Sequence, residues 1–178
     1  MQQKVDLTIK IIKRIGKKRN QITITTLVVL LTSPFIGLVT VWADNLFGTS
    51  GPDTIDGTDN NDKIVGLKVN DNLRGEGGDD YIEGNAGNDE ISDGVGNDNI
   101  RAGSGDDRIE LVGIVSDEEG AEGVDKAYGG KGKDTILGSD DADFLLIFGG
   151  PDDDALGGAG EGGGRIYGGS GDNQIGRR

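Results

Sequence analysis

Gly75–Glu83 reads GEGGDDYIE, Gly84–Ser92 reads GNAGNDEIS and Gly129–Leu137 reads GGKGKDTIL. The three align without gaps as G-x-x-G-x-D-x-U-x, where U is a large aliphatic residue, and the pattern extends well beyond them. Ile55, Ile64, Leu73, Ile82, Ile91, Ile100 and Ile109 recur every nine positions, each two residues after an aspartate: Asp53, Asp62, Asp71, Asp80, Asp89, Asp98 and Asp107. Fixed-period self-similarity of this kind belongs to solenoids, in which a repeat cannot bury its apolar face alone and stacks on its neighbours. Ile109 and Ile136 lie 27 residues apart, three nines, with Gly120, Gly123 and Asp125 in phase, so the register is expected to persist through the degenerate stretch between them. Further on it slips. Ile147 and Phe148, then Gly158, read as insertions, which moves the last rungs to Leu156, Ile166 and Ile175 and gives fourteen turns between Gly48 and Gly176.

Each conserved position of the nonapeptide has a physical reason. Glycine at positions 1 and 4 permits the positive-φ backbone of a tight turn. Aspartate at position 6 supplies a hard anionic oxygen, and carboxylates with main-chain carbonyls are the ligands Ca²⁺ prefers, about 6 to 8 oxygens at about 2.3 to 2.6 Å. The segment x-U-x is a short strand with U pointing inwards and its neighbours outwards.

The repeat resembles the hemolysin-type calcium-binding nonapeptide of RTX proteins, and the match covers most of the chain after residue 47. The resemblance implies an all-β fold, a right-handed parallel β-roll (a β-solenoid) in which repeat n stacks on repeat n+2 and Ca²⁺ ions sit between successive turns on each side. Carried over residue by residue, it places Asp53, Asp71, Asp89, Asp107, Asp125 and Asp143 in one column of metal ligands. The other column is Asp62, Asp80, Asp98, Asp134 and Asp154. Gly75, Gly78, Gly84, Gly87, Gly96, Gly105, Gly123, Gly129 and Gly132 form the turns that complete these sites. Ser116 interrupts the second column and Glu118 takes a rung position, while Gly164 and Asn173 replace the aspartate in the last two turns, which suits terminal, capping repeats. Asn60 tolerates a left-handed backbone where glycine is expected; Asp141 fits less well, and β-branched Val69 least.

Composition alone points the other way, because acidic, glycine-rich, aromatic-poor chains cannot bury enough apolar surface to offset chain entropy. Twelve large aliphatic rungs in phase argue for order once cations are present, and for disorder without them. The net charge of −14 divides unevenly: residues 1–43 hold seven Lys and Arg and only Asp6, leaving 31 acidic and 11 basic side chains in residues 44–178. That excess argues against nucleic acid as a partner and favours calcium. Stacked carboxylates repel, so folding and metal binding should be one event. With no His and no Cys, Ser-His-Asp and Cys-His nucleophiles and the usual zinc sites are excluded, as are disulfides. The carboxylates at repeat spacing read as ligands, and the chain as a non-enzyme.

Lys4, Lys10, Lys13, Arg14, Lys17, Lys18 and Arg19 precede an uncharged run from Asn20 to Ala43 with apolar centres at Leu27–Leu31 and Phe35–Trp42. A basic n-region, an apolar segment and small residues at its end read as an export signal cleaved before Asp44; an uncleaved anchor spanning the membrane through residues 22–42 is the rival. Two domains follow: 1–43, signal peptide or anchor, and 44–178, the repeat domain. The expected product is a secreted calcium-binding protein. Two alternatives are a cell-surface adhesin or structural component with a cell-surface or glycan partner, and the calcium-binding piece of a larger secreted hydrolase or toxin.

Overall fold

The computed structural model describes residues 44–112, 124–138, 144–158 and 163–176. Fourteen short strands follow one another: β1 Asn45–Phe47, β2 Thr54–Thr58, β3 Lys63–Lys68, β4 Asn72–Gly77, β5 Tyr81–Ala86, β6 Glu90–Val95, β7 Asn99–Ser104, β8 Arg108–Leu111, β9 Val124–Lys131, β10 Thr135–Gly138, β11 Phe144–Gly150, β12 Ala155–Gly157, β13 Gly164–Gly169 and β14 Gln174–Gly176. Odd-numbered strands form one seven-stranded sheet and even-numbered strands the other, every pairing parallel. Each nonapeptide thus crosses from one sheet to the other, and two make a full coil. This is the parallel β-roll implied by the sequence. Among the described residues no helix is long and apolar enough to cross a membrane, and the segment 1–43 lies outside them.

The rungs meet in register through the core. In the odd sheet Leu46, Ile64, Ile82, Ile100, Ala127, Ile147 and Ile166 pair in sequence. In the even sheet Ile55, Leu73, Ile91, Ile109, Ile136, Leu156 and Ile175 do the same. From Ile55 to Ile109 every rung is fully buried, each side chain contributing roughly 1.5 to 3 kcal/mol of transfer free energy. Parallel strands buried between turns make a narrow core that one large side chain fills in most repeats, which is why the sequence period survives so strictly.

Two expectations about register are corrected. The pairing partner of Asn99 is Lys126 and that of Arg108 is Thr135, steps of 27 residues instead of 18. One nonapeptide is therefore left out of the strand succession, between Leu111 and Val124, and Leu46 supplies a rung not counted from the sequence. Glu118 and Ser116 lie outside the described residues. In β11 the residue aligned with the rung Ala127 is Ile147, while Leu145 aligns with Asp125. The two extra residues therefore precede β11, instead of being Ile147 and Phe148; both Leu145 and Ile147 are inward and fully buried. The insertion expected at Gly158 falls between Gly157 and Gly164, which pair with Gly176 and Leu145.

Candidate metal centre

Two rows of buried aspartates run along the edges of the roll, where each strand begins. In the first, the main-chain N–H of Asp53 donates to Asp71 Oδ1 (2.8 Å), Asp71 to Asp89 (2.9 Å), Asp89 to Asp107 (2.8 Å), Asp107 to Asp134 (3.0 Å), Asp134 to Asp154 (3.0 Å) and Asp154 to Asn173 (2.9 Å). In the second, Asp44 donates to Asp62 (2.7 Å), Asp62 to Asp80 (2.7 Å), Asp80 to Asp98 (2.7 Å) and Asp98 to Asp125 (2.9 Å). The columns expected from the sequence hold up to Asp107 and Asp98 and are exchanged beyond: Asp134 and Asp154 continue the row of Asp107, and Asp125 that of Asp98. The cause is the omitted nonapeptide, which moves every later repeat to the opposite sheet. The register position expected of Asp143 is taken by Leu145. Asp143 itself, with Gly123 and Asp141, lies outside the described residues.

The glycines divide into two kinds. Those at position 4 take the left-handed backbone as expected: Gly78 (φ 100°), Gly87 (135°), Gly96 (149°), Gly105 (132°) and Gly132 (119°). Val69 is forced into the same region (φ 62°), whereas Asn60 is not among the positive-φ residues, contrary to expectation. Gly57, Gly66, Gly75, Gly84 and Gly129 at position 1 do not have positive φ; it falls at position 2 instead, as on Leu67 (90°), Glu76 (75°) and Asn85 (79°). Where position 1 is glycine, the reason is space. A Cβ on Gly84 would lie 2.3 Å from Asp89 Oδ2 and 2.7 Å from the carbonyl oxygen of Ala102; on Gly129, 2.3 Å from Asp134 Oδ2 and 2.7 Å from the Gly149 oxygen. On Gly75 it would lie 2.3 Å from Asp80 Oδ2 and 2.0 Å from the Asp93 carbonyl oxygen. A row carboxylate and a carbonyl of the next coil thus converge on one point in repeat after repeat.

The Oδ2 atoms at these points are the unusual feature. Those of Asp71, Asp80, Asp89, Asp98, Asp107, Asp134 and Asp154 are buried and find no hydrogen-bond partner among the described residues. A buried charged oxygen without a partner is costly enough that its recurrence at seven equivalent positions calls for a cation. Asp53 and Asp62 differ. Thr49 donates its N–H (2.5 Å) and Oγ1 (3.0 Å) to Asp53 Oδ2, and Thr58 does so to Asp62 Oδ2 (2.6 and 2.9 Å). The two N-terminal turns are closed by threonine where the seven turns just named leave the oxygen open.

Electrostatics agree. Burial pushes the carboxyls of Asp71 and Asp107 up to about 6 and those of Asp80, Asp98 and Asp134 up to about 7; main-chain hydrogen bonds oppose the rise and neighbouring row aspartates add to it. Asp89 and Asp154 are raised by burial as well. An oxygen set of carboxylates and carbonyls, negative and partly desolvated, fits a hard divalent ion and Ca²⁺ in particular.

Two features escaped the sequence reading. A second ladder runs outside the aspartate rows at position 5: Asn61, Asp79 and Asn97 accept the N–H of Asp79, Asn97 and Val124, and Asn70, Asn88 and Asp106 accept those of Asn88, Asp106 and Lys133. The recurrence of Asn and Asp there was its signal. The other is Asp93, fully buried at a position that is glycine in most described repeats.

No curated protein and no solved structure matches the chain. A family model does: the RTX calcium-binding nonapeptide repeat matches in four copies, at residues 43–73, 69–92, 74–109 and 119–156, more than half the chain. Nonapeptide period, parallel roll and open carboxylate rows agree with that match, and the chain belongs to the RTX calcium-binding nonapeptide repeat family.

Proposed function

We propose that this calcium-binding β-roll is an exported protein whose repeat domain, residues 44–178, folds as it takes up several Ca²⁺ ions, and that it is not an enzyme. The observation that carries the reading is the recurrence of open, buried Oδ2 atoms on Asp71, Asp80, Asp89, Asp98, Asp107, Asp134 and Asp154, five of them (Asp71, Asp80, Asp89, Asp134 and Asp154) set against a glycine. These aspartates are the proposed ligands, with the main-chain carbonyls of the turns. Asp53 and Asp62 bind more weakly, since their threonines compete for the same oxygen. The affinity expected of extracellular sites is about 10⁻⁴ to 10⁻³ M. Far-UV circular dichroism across a calcium titration tests it: little structure in chelator, β-structure with Ca²⁺, and a poor response to Mg²⁺, which demands a tighter octahedron and gives up water reluctantly. Identical spectra in chelator and in calcium would refute it.

Residues 1–43 are the proposed export segment, with seven basic residues ahead of an uncharged, apolar run. Sites of such affinity fill outside a cell, where calcium is abundant, which supports the same placement. Intact-mass analysis of the native product is expected to show an N-terminus at Asp44; a full-length protein in the cytoplasm would overturn the export reading.

A further inference from the structure

Asp93 occupies position 1 of its repeat, where a side chain on Gly75, Gly84 or Gly129 would run into the row aspartate's Oδ2. Here the intruding side chain is itself a carboxylate. Its Oδ1 accepts the N–H of Gly94 (2.7 Å) and that of Val112 (2.7 Å), the residue at which the chain leaves the strand succession. Its Oδ2 is buried and unpartnered among the described residues, as is that of Asp98. One carboxylate oxygen from each of Asp93, Asp98 and Asp125 lies within 4.8 Å of the others, and all three residues are buried. No Lys or Arg pairs with Asp93 or Asp98 among the described residues.

We propose that Asp93, Asp98 and Asp125 form a three-carboxylate site for one divalent cation of the Ca²⁺ class, chemically distinct from the other positions along the rows because a carboxylate stands where most of them have glycine. The inference rests on the calcium reading of the rows and goes beyond it in naming a ligand outside the repeat's aspartate position and a place where one site differs from the rest. That place is where the row must step over 27 residues, from Asp98 to Asp125. Charge count is one of the quantities that set calcium affinity, so a third carboxylate makes this the tightest site of the roll. Asp93 uses its two oxygens for different ends: Oδ2 for the ion, Oδ1 for the main chain at Val112. Filling the site therefore fastens the departure point of the omitted nonapeptide to the row.

The test is isothermal calcium titration of the full chain after chelation, with circular dichroism alongside, for the wild type and for Asp93→Asn, Asp93→Gly and Asp71→Asn. The wild type is expected to show one site at least about tenfold tighter than the others. Asp93→Asn keeps an acceptor for Gly94 and Val112 and should weaken that site at least about tenfold, while Asp71→Asn should spare it and reduce the weaker class. Asp93→Gly installs the repeat's own residue and should merge the tight site with the weaker class; if Asp93→Asn does not fold at saturating calcium, this variant decides. An unchanged tightest site in the variants of Asp93 leaves that residue as a main-chain cap alone and overturns the inference with the row reading intact. A wild type that takes up no calcium overturns both.

Discussion

Replacing Asp89 by asparagine should change stability in opposite directions with and without calcium. Asp89 Oδ1 accepts the N–H of Asp71 at 2.9 Å, a bond the amide oxygen of asparagine can keep. The altered atom is Oδ2, buried, open and beside the Ala102 carbonyl. In chelator the substitution removes a partly desolvated charge whose pKa burial has already raised, so the chelated roll is stabilised. In calcium it removes an anionic ligand. At a calcium concentration about a hundredfold above the dissociation constant, a site that binds only the folded chain contributes about 2.7 kcal/mol. Loss of one site should therefore destabilise by about that amount, and by more if two neighbouring ions share the carboxylate. Asp62→Asn is the control, because Thr58 already occupies Asp62 Oδ2 with two hydrogen bonds; its penalty in calcium should be clearly smaller. Chemical unfolding in about 10 mM Ca²⁺ measures one arm, taking a dissociation constant of about 10⁻⁴ M. A stabilising-osmolyte titration in chelator, which drives a marginal chain towards burial, measures the other. The same sign in both arms for Asp89→Asn, or equal penalties for the two variants in calcium, would show that the carboxylates act as diffuse charge instead of as site ligands.

Two further outcomes are expected. The carboxyls of Asp71 and Asp107 at about 6, and of Asp80, Asp98 and Asp134 at about 7, lie above their ordinary value of 3.8, so the folded chain without metal holds more protons than the unfolded chain between these limits. Its stability should fall as pH rises from about 4 through about 7, while in calcium the midpoint for folding should rise as pH drops through 7 to 6 because protons compete with the ion. A calcium midpoint independent of pH over that window contradicts the assignment. Gly87→Ala puts a Cβ 2.3 Å from the Val69 carbonyl carbon and oxygen at a φ of 135°, a conflict with backbone that cannot move aside. It should raise the calcium needed for folding severalfold, and a titration that overlays the wild type would show that the turn at position 4 is not specific.

The solenoid, its rungs and the aspartate two residues before each were legible from local period, and the two-sheet roll with its rows as far as Asp107 and Asp98 from the family resemblance that this period carries. What lay beyond depended on which strand pairs with which. Ile109 and Ile136 are in phase in a count by nines whatever their strands pair with, and only the pairing of β8 with β10 makes them direct neighbours in the sheet. The swap of Asp125 with Asp134 and Asp154 follows from that single step. Ile147 was misread for a related cause: β11 carries alternate inward residues at Leu145 and Ile147, so two aliphatics compete for one rung and the neighbouring strand decides. Thr49 and Thr58 stand at a variable position of the repeat, and hydroxyl capping of an aspartate becomes visible only once the turn geometry is known. Position 1 was assigned the wrong reason for its glycine, since crowding between coils leaves no mark on sequence that differs from a need for positive φ.

Asp71, Asp80, Asp89, Asp98, Asp107, Asp134 and Asp154 each face two ways, with Oδ1 bound to the N–H of the preceding coil and Oδ2 without a partner among the described residues. An ion that immobilises one side chain therefore also fixes the spacing between two coils, and so the shape of the adjoining cradle before that cradle is filled. The second ion meets ligands whose ordering cost has already been met by the first, which is positive cooperativity without a change of quaternary structure. A molecule built this way responds to calcium as a threshold and not in proportion. Asp98 donates to Asp125 at 2.9 Å across the 27-residue step, so the same linkage between coils carries through it.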